Sequence, residues 1–189
     1  MDKVLKSKCL FKLLEWIDAD LASRCREGGC RHCGERRLHK GDFDRKPRGP
    51  DAAAGWDERY SFDCSRCRRR TTPPSVRFLG RKVYIGVVVV LAGAMMHGAT
   101  AERVEQLRQE LGVGDAATLK RWRQWWQENF VGSGFWKVAR SRCMPAAAED
   151  RMPLSLVETF GAEHCCGLVS LLRFLSPITV PGGLEGRAM

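Results

Sequence analysis

The sequence has no apolar run long enough to cross a lipid bilayer. Its longest such run, residues 83–96 (VYIGVVVVLAGAMM), is shorter than the roughly 20 residues that a membrane-spanning helix needs. It also shows no internal repeat at a fixed period. These absences exclude a membrane-spanning protein and a repeat array, and we expect residues 83–96 to form a buried element of a soluble chain.

The N-terminal region lacks the uninterrupted apolar core of a secretory signal peptide, because Lys12, Glu15, Asp18 and Asp20 interrupt it. We therefore expect a cytoplasmic, nucleoid-associated protein whose nine cysteines stay reduced. Reduced cysteines that are paired at close spacing favour a metal site over a disulfide framework.

Recognisable catalytic motifs are also absent. The sequence has no Walker-type phosphate loop and no arrangement of nucleophile, histidine and acid that is typical of a hydrolase. We therefore predict that the protein is not an enzyme and takes no small-molecule substrate.

What the sequence does have is an excess of positive charge in one block. Residues 24–82 contain 17 Lys and Arg against 8 Asp and Glu, which gives +9 of the net charge of +10. The segments on either side are close to neutral. Such a block predicts a polyanionic partner, with nucleic acid first and an acidic membrane surface second.

Two CxxC motifs lie inside this basic block. The first is Cys30 and Cys33, followed by Gly34, and the second is Cys64 and Cys67. Two such knuckles supply four thiolates from tight turns, which is typical of a closed, tetrahedral structural zinc site. Because protein would fill all four positions, none would remain open for catalysis. The sequence therefore predicts a zinc ribbon that holds a structural Zn2+ ion.

The segment between the knuckles is longer than a compact ribbon requires. Cys25, His32 and His39 are therefore alternative ligands, although each is more simply interpreted as a bystander. Within and after this region, residues 59–62 predict a strand that enters the second knuckle, and residues 75–79 predict the returning strand.

Basic side chains occupy the loop between the knuckles and follow the second knuckle. Long cationic side chains at such positions can neutralise the phosphates of a nucleic acid. The predicted phosphate contacts are Lys46, Arg48, Arg68, Arg69 and Arg70.

Residues 100–130 predict two helices that are joined by a tight corner. Thr100 can cap the first helix, and Gly112 follows its last apolar residue as a left-handed C-cap glycine would. Val113 would fill the angle of the turn, and Asp115 can cap the second helix. This pattern is typical of a helix-turn-helix, but a capped helical hairpin with a solvated basic face shares it.

The second predicted helix, residues 116–130, has two chemically different faces. One face is apolar at helical spacing, with Leu119, Trp122, Trp126 and Phe130. On the other face, Lys120 and Arg121 suit guanine, and Gln124 suits adenine. Thr118 or the helix N-terminus would hold a phosphate.

Further helices are predicted on both sides of this pair. Residues 3–21 are amphipathic, and packing on the protein's own domain is favoured over a membrane-surface helix. Residues 83–96 would be the supporting first helix of the pair. Ser133 can cap a short helix, and two more amphipathic helices are expected at 154–160 and 165–175. Packing partners expected for residues 83–96 are Leu107, Leu111, Leu119 and Trp122.

The order of these parts resembles the N-terminal zinc ribbon and helix-turn-helix of bacterial insertion-sequence transposases, and small accessory proteins encoded in mobile elements. The similarity covers roughly residues 28–130 and depends on CxxCG, CxxC, CRRRTTPPSVRFLGRKVY and LGVGDAATLKRWRQWW in that order. It implies that the four CxxC cysteines bind zinc and that residues 116–127 enter the major groove. It also implies double-stranded DNA and a separately encoded transposase or integrase as partners.

Such transposases continue into a catalytic domain with three acidic residues that hold two metal ions. The residues after Phe130 show no such order of carboxylates. We therefore expect DNA recognition without strand-transfer chemistry in this sequence.

The predicted fold class is mainly α with a small β zinc ribbon, followed by a trihelical helix-turn-helix domain and C-terminal helices. The predicted function is a non-catalytic DNA-binding accessory or regulatory protein of a bacterial mobile element. The alternatives are a zinc-ribbon adaptor that docks an integrase or polymerase through the C-terminal LVSLLRFL helix, and an RNA-binding zinc protein.

The predicted units are an N-terminal amphipathic helix (1–23), the zinc ribbon (24–80), the helix-turn-helix domain (81–143), short C-terminal helices (144–176) and a disordered tail (177–189).

Overall fold

The computed structural model describes residues 7–49, 56–79, 84–95, 100–110, 113 and 115–186. It is mainly helical and contains small antiparallel sheets, as the predicted fold class requires. The helices are α1 (Lys8–Gly28), α2 (Gly86–Met95), α3 (Ala101–Glu110), α4 (Ala116–Gln124), α5 (Gly134–Ala139), α6 (Leu154–Phe160) and α7 (Cys165–Leu175). A π-helical segment, Trp125–Phe130, continues α4, and 3-10 turns occupy Arg140–Arg142, Glu149–Arg151 and Ser176–Thr179.

Helix α1 begins after Ser7, whose hydroxyl accepts a hydrogen bond from the amide of Leu10 at 3.3 Å. It runs to Gly28, beyond the predicted end at residue 21. The buried residues of α1 are Leu10, Phe11, Leu14, Ile17, Asp18 and Ala22. Leu13 and Trp16 of the same helix are 42% and 69% exposed, although both are apolar. The apolar face of α1 packs into the protein's own core, as favoured over membrane-surface binding.

Short strands form the ribbon part of the fold. Strands β1 (Leu38–Lys40), β4 (Phe62–Cys64) and β5 (Arg70–Thr71) make an antiparallel sheet with β4 in the centre, and β2 (Phe43–Asp44) pairs with β3 (Glu58–Arg59). The returning strand is therefore β5, and the prediction of a returning strand at residues 75–79 is wrong. The chain reverses in the turn that follows Cys64, so that Arg70 and Thr71 pair with Asp63 and Phe62 of β4.

Residues 75–77 instead bind the fully buried carboxylate of Asp18 in α1. Arg77 Nε donates to Asp18 Oδ2 at 2.8 Å, and the amide of Val76 donates to Asp18 Oδ1 at 2.7 Å. The hydroxyl of Ser75 donates to the same carboxylate. This network attaches the N-terminal helix to the segment that leaves the ribbon.

Helix α2 lies at the centre of the molecule. Residues 87–92 are completely inaccessible to solvent, and α2 packs against α4, α6 and α7. A helix in this region was predicted and is confirmed, but its neighbours include both C-terminal helices. It is therefore part of a larger helical core than the predicted trihelical domain.

One hydrophobic core extends from Leu10 in α1 to Ile178 near the end of the described chain. A smaller cluster surrounds the CxxC cysteines and contains Ala22, Leu38 and Phe62. The predicted unit boundaries after residues 23, 80 and 143 thus do not correspond to separate apolar cores, although the ribbon has a small one of its own.

The C-terminal region packs on this core. The apolar face of α7 is buried, including Leu168, Leu171 and Leu175. Val180 is also buried, and the carbonyl of Leu184 accepts a hydrogen bond from the amide of Phe135 at 3.2 Å. The predicted disordered tail is therefore wrong for residues 177–186, because they cover the helical core; residues 187–189 lie outside the described part.

Candidate metal centre and basic surface

The first CxxC motif forms a tight knuckle. The amide of Gly34 donates to the carbonyl of Cys30 at 2.8 Å, and Gly34 has a φ of 72°, which glycine adopts without steric cost. The amide of Cys30 donates to the carbonyl of Glu35, also at 2.8 Å. These bonds fold the chain so that Cys30 and Cys33 point to one side.

The second knuckle repeats this hydrogen-bond pattern. The amide of Arg68 donates to the carbonyl of Cys64 at 3.0 Å, and the amide of Cys64 donates to the carbonyl of Arg69 at 3.1 Å. Arg68 has a φ of 56°, so it occupies the left-handed position that Gly34 occupies in the first knuckle. Pairing of Leu38 with Cys64 across β1 and β4 brings the two knuckles together.

The four predicted zinc ligands converge. The sulfurs of Cys30 and Cys67 are 3.6 Å apart, as are those of Cys33 and Cys64, and all four lie within 4.8 Å of one another. A tetrahedron of sulfurs, each about 2.3 Å from a zinc ion, has edges of about 3.8 Å. The donor set and its spacing are therefore compatible with zinc, and the four cysteines could hold one metal ion.

The electrostatics of the cluster favour a bound cation. A hydrogen bond from the amide of His32 helps to lower the pKa of Cys30 to about 6. The amide of Arg69 has the same effect on Cys67, but burial and the neighbouring cysteines prevail and raise the pKa of Cys67 to about 12. Ionisation of all four crowded sulfurs is therefore unfavourable without a counter-charge, which a divalent cation would supply.

The alternative ligands are not part of the cluster. Among the described residues, the group of close sulfur, nitrogen and carboxylate donors contains only the four CxxC cysteines, without Cys25, His32 or His39. His32 contributes its backbone amide to the sulfur of Cys30 at 3.4 Å, and His39 pairs with Asp63 in the sheet. Burial raises the pKa of Cys25, which disfavours its thiolate form.

The predicted phosphate contacts of the ribbon are all exposed: Lys46, Arg48, Arg68, Arg69 and Arg70. Arg70 forms an ion pair with Asp63 at 3.3 Å and lies over the ring of Phe43. In the described part of the chain, the other four form no ion pair, so their charge is available to a polyanion.

Two arginines of the basic block do not belong to this surface. Arg59 and Arg77 are 3% and 4% exposed, and both donate to groups inside the protein. Composition alone counts them with the surface charge, and no signal in the sequence distinguishes them.

Helix α4 has the two faces that its sequence predicts. Leu119 and Trp122 are buried, whereas Lys120, Arg121 and Gln124 are exposed. The exposed side chains are partly held in place. Arg121 Nη2 donates to the half-buried Thr118 hydroxyl at 2.7 Å, and Gln124 donates to Glu128 at 2.9 Å.

The N-terminus of α4 is already capped by a carboxylate. Asp115 Oδ1 accepts a hydrogen bond from the amide of Thr118 at 2.6 Å, as predicted for an N-cap, and this bond lowers the pKa of Asp115. The expectation that this N-terminus would hold a phosphate is therefore not supported, because an ionised Asp115 occupies the position and repels another anion.

The corner between α3 and α4 is described only in part. Val113 is buried, as a residue that fills the angle between two helices should be. The predicted C-cap at Gly112 lies outside the described residues, as do the side chain of Leu107 and the whole of Leu111.

No helix in the described part of the chain combines the length and the apolar composition that crossing a bilayer requires. Comparison with protein-family models, with curated proteins and with solved structures finds no match to this chain.

Proposed function

We propose that this chain is a zinc-stabilised, non-catalytic DNA-binding protein, with an accessory or regulatory role beside a separately encoded transposase or integrase. The observation that carries the proposal is the exposed cationic and amide face of α4, whose opposite face is anchored in the core by Leu119 and Trp122. A rigidly supported helix with exposed Arg, Lys and Gln side chains is suited to reading base edges in a major groove.

The ribbon would supply affinity without sequence preference. Its four thiolates would hold Zn2+, which supplies a cross-link between the two knuckles and leaves Arg68 and Arg69 exposed on the second one. Together with Lys46 and Arg48, these residues would neutralise phosphates and release counterions, so binding would weaken steeply with salt.

The alternative of an adaptor that docks a partner through α7 has less support than DNA binding. Most apolar side chains of the LVSLLRFL segment, including Leu168 and Leu172, are buried against the rest of the protein, and Phe174 is half-buried. RNA binding would use the same exposed cations as DNA binding. The structure therefore does not discriminate between the two functions, but a competition experiment between duplex DNA and RNA does.

The test is fluorescence anisotropy with full-length, zinc-loaded protein and a duplex selected from a random library at low salt. Arg121→Ala should reduce the preference for the selected duplex over a scrambled one by roughly tenfold, because one bidentate contact contributes about 1–3 kcal/mol of discrimination. Lys137→Ala, which removes an exposed cation from α5, is the matched control and should leave this preference unchanged.

Arg69→Ala should instead weaken binding to both duplexes alike and reduce the slope of log affinity against log salt by about 1. Competition with duplex and single-stranded RNA completes the experiment. Absence of duplex binding at low salt by metal-loaded protein, or tighter binding of RNA than of the selected duplex, would contradict the proposal.

A further inference from the structure

A cavity of about 680 Å3 lies where the ribbon, the π-helical segment and the C-terminal tail meet. Its size is within the range of about 300–1,000 Å3 that is common for small-molecule sites. The ribbon contributes Phe43, Arg45, Arg59 and Thr72, followed by Leu79, and the other wall consists of Trp125 and residues 178–181 and 184.

The chemistry of the walls is amphipathic and of one charge sign. Most of the lining side chains are apolar or aromatic, and the charged ones are Arg45 and Arg59. Among the described residues that line the cavity, none is a carboxylate. Such a cavity is complementary to a molecule with an apolar body and a negative charge.

Arg59 gives this cavity a specific polar anchor. Its side chain is 3% exposed, and Nη2 donates to the carbonyl of Pro73 at 2.6 Å. The Nη1 nitrogen is buried and has no hydrogen-bond partner. Buried guanidinium groups are normally paired, because an unpaired buried charge is costly.

The charge of Arg59 is retained at neutral pH. Burial lowers its pKa to about 10, with the charge of Asp18 opposing the shift, and Arg77 and Arg45 add to the local positive potential. Asp18 itself is committed to Arg77 and to residues 75 and 76. The carboxylate of Asp18 is therefore bound to Arg77, and the Nη1 nitrogen of Arg59 is left without a hydrogen-bond partner in the described part of the chain.

We propose that this cavity binds a small amphipathic carboxylate, whose carboxyl group pairs with Arg59 and whose apolar or aromatic body packs between Phe43, Trp125 and Leu184. A carboxylate accepts in-plane hydrogen bonds from a guanidinium. The DNA backbone is not the occupant, because a side chain as buried as Arg59 cannot be reached by a duplex. This inference goes beyond the proposed function and does not depend on it.

The site would join parts of the molecule that are far apart in sequence. A ligand in contact with both Phe43 of β2 and Trp125, which directly follows α4, would stabilise the ribbon against the helical part. We therefore expect binding to raise the thermal unfolding midpoint of the whole protein.

The test uses 1-naphthylacetate and its neutral analogue 1-naphthylacetamide, which have the same aromatic body. Isothermal titration calorimetry with zinc-loaded, full-length protein should show the acid binding at least tenfold more tightly than the amide. Arg59→Met should reduce affinity for the acid at least tenfold and leave the amide unchanged. Arg173→Met, which removes an exposed arginine of α7 outside the cavity, should change neither affinity.

Leu184→Trp provides a second variant in case Arg59→Met does not fold. It leaves Arg59 intact and fills the cavity from the tail, so it should abolish binding of both compounds while the circular dichroism spectrum is retained. The proposal is overturned if the wild-type protein binds neither compound, if acid and amide bind equally, or if folded Arg59→Met or Leu184→Trp retains the affinity of the wild type for the acid.

Discussion

Arg68 has a left-handed backbone conformation, and it is the one non-glycine residue with positive φ in the described part of the chain. This conformation turns the chain so that the carbonyl of Arg69 accepts the amide of Cys64, just as Gly34 turns the chain so that the carbonyl of Glu35 accepts the amide of Cys30. The two knuckles thus have the same backbone but different residues at the strained position. A residue with a Cβ atom pays about 1–2 kcal/mol there that glycine does not.

We therefore predict that Arg68→Gly stabilises the metal-loaded protein by roughly 1 kcal/mol, after allowance for the greater freedom of glycine in the unfolded chain. Urea unfolding followed by circular dichroism measures the change. Arg69→Gly is the control, since Arg69 does not have positive φ, and it should not be stabilising. If Arg68→Gly instead destabilises the protein, the contacts of the Arg68 side chain contribute more to the free energy of unfolding than the backbone strain subtracts.

At this scale, the sequence predicts the convergence of the four CxxC cysteines well and the buried charges poorly. The CxxC spacing encodes a local turn, so Cys30 and Cys64 could be assigned without knowledge of the fold. The burial of Arg59 depends on the distant residues that cover it, and those contacts have no local signal.

Helix α5 depends on its N-cap, Ser133. The hydroxyl of this buried serine accepts from the amide of Trp136 at 3.1 Å and donates to the carbonyl of Phe130 at 2.6 Å, so it joins the end of the π-helical segment to the next helix. We predict that Ser133→Ala destabilises the protein by about 1 kcal/mol, because it leaves the amide of Trp136 without this partner, whereas the carbonyl of Phe130 still accepts the amide of residue 133 at 3.0 Å.

Thermal unfolding of the Ser133→Ala protein, compared with wild type, measures this loss. Ser141→Ala is the matched control, since Ser141 is exposed and its hydroxyl donates only to the carbonyl of Val138. If the two variants have the same unfolding midpoint, the cap does not have the structural role assigned to it.

Helices and caps were more predictable than strands for a physical reason. Ser133 and Asp115 act on amides three residues away, so the sequence contains both partners of each bond. The position of β5 depends instead on pairing with β4 immediately after the second CxxC knuckle. In the segment 75–79, the amide of Val76 donates to Asp18, and Phe78 forms a β-bridge with Ile85. The apolar residues in the segment 75–79 are buried, but their pattern does not show that the segment is outside the ribbon sheet.

For the molecule as a whole, Asp18 is the link between its first helix and the exit from the ribbon. Asp18→Ala would leave the guanidinium of Arg77 buried with its charge uncompensated, since Arg77 is 4% exposed. We predict a loss of about 3–5 kcal/mol in the free energy of unfolding.

Asp20→Ala is the control for this prediction, because Asp20 pairs with Arg24 on the exposed side of the same helix. Asp20→Ala should lower the free energy of unfolding by less than about 1 kcal/mol. Urea titrations of both variants provide the comparison, and similar small losses would mean that water reaches Arg77 and replaces its partner.

Apolar patterns in the sequence do not indicate which elements share a core, so the predicted division into units does not describe how the core is built. The run at residues 83–96 was expected to be buried, and its residues 84–94 are, but their coverage by α6 and α7 depends on the path of the whole chain. The tail was expected to be disordered, yet Ile178 belongs to the core and Leu184 packs against it. The small cluster around the cysteines combines ribbon residues with Ala22 of α1.

This separate cluster predicts how the protein responds to loss of metal. The ribbon cluster contains few apolar residues besides its cysteines, whereas the large core contains none of the four CxxC cysteines. Chelation should therefore remove hydrogen-exchange protection from the amides of β1 and β4, while the far-UV circular dichroism of the helices is largely retained.

Cys64→Ser should reproduce the state of the chelated protein. Cys25→Ser is the control and should keep one zinc per chain. Simultaneous loss of both signals would mean that the metal stabilises the whole molecule, through the attachment of α1 to both clusters.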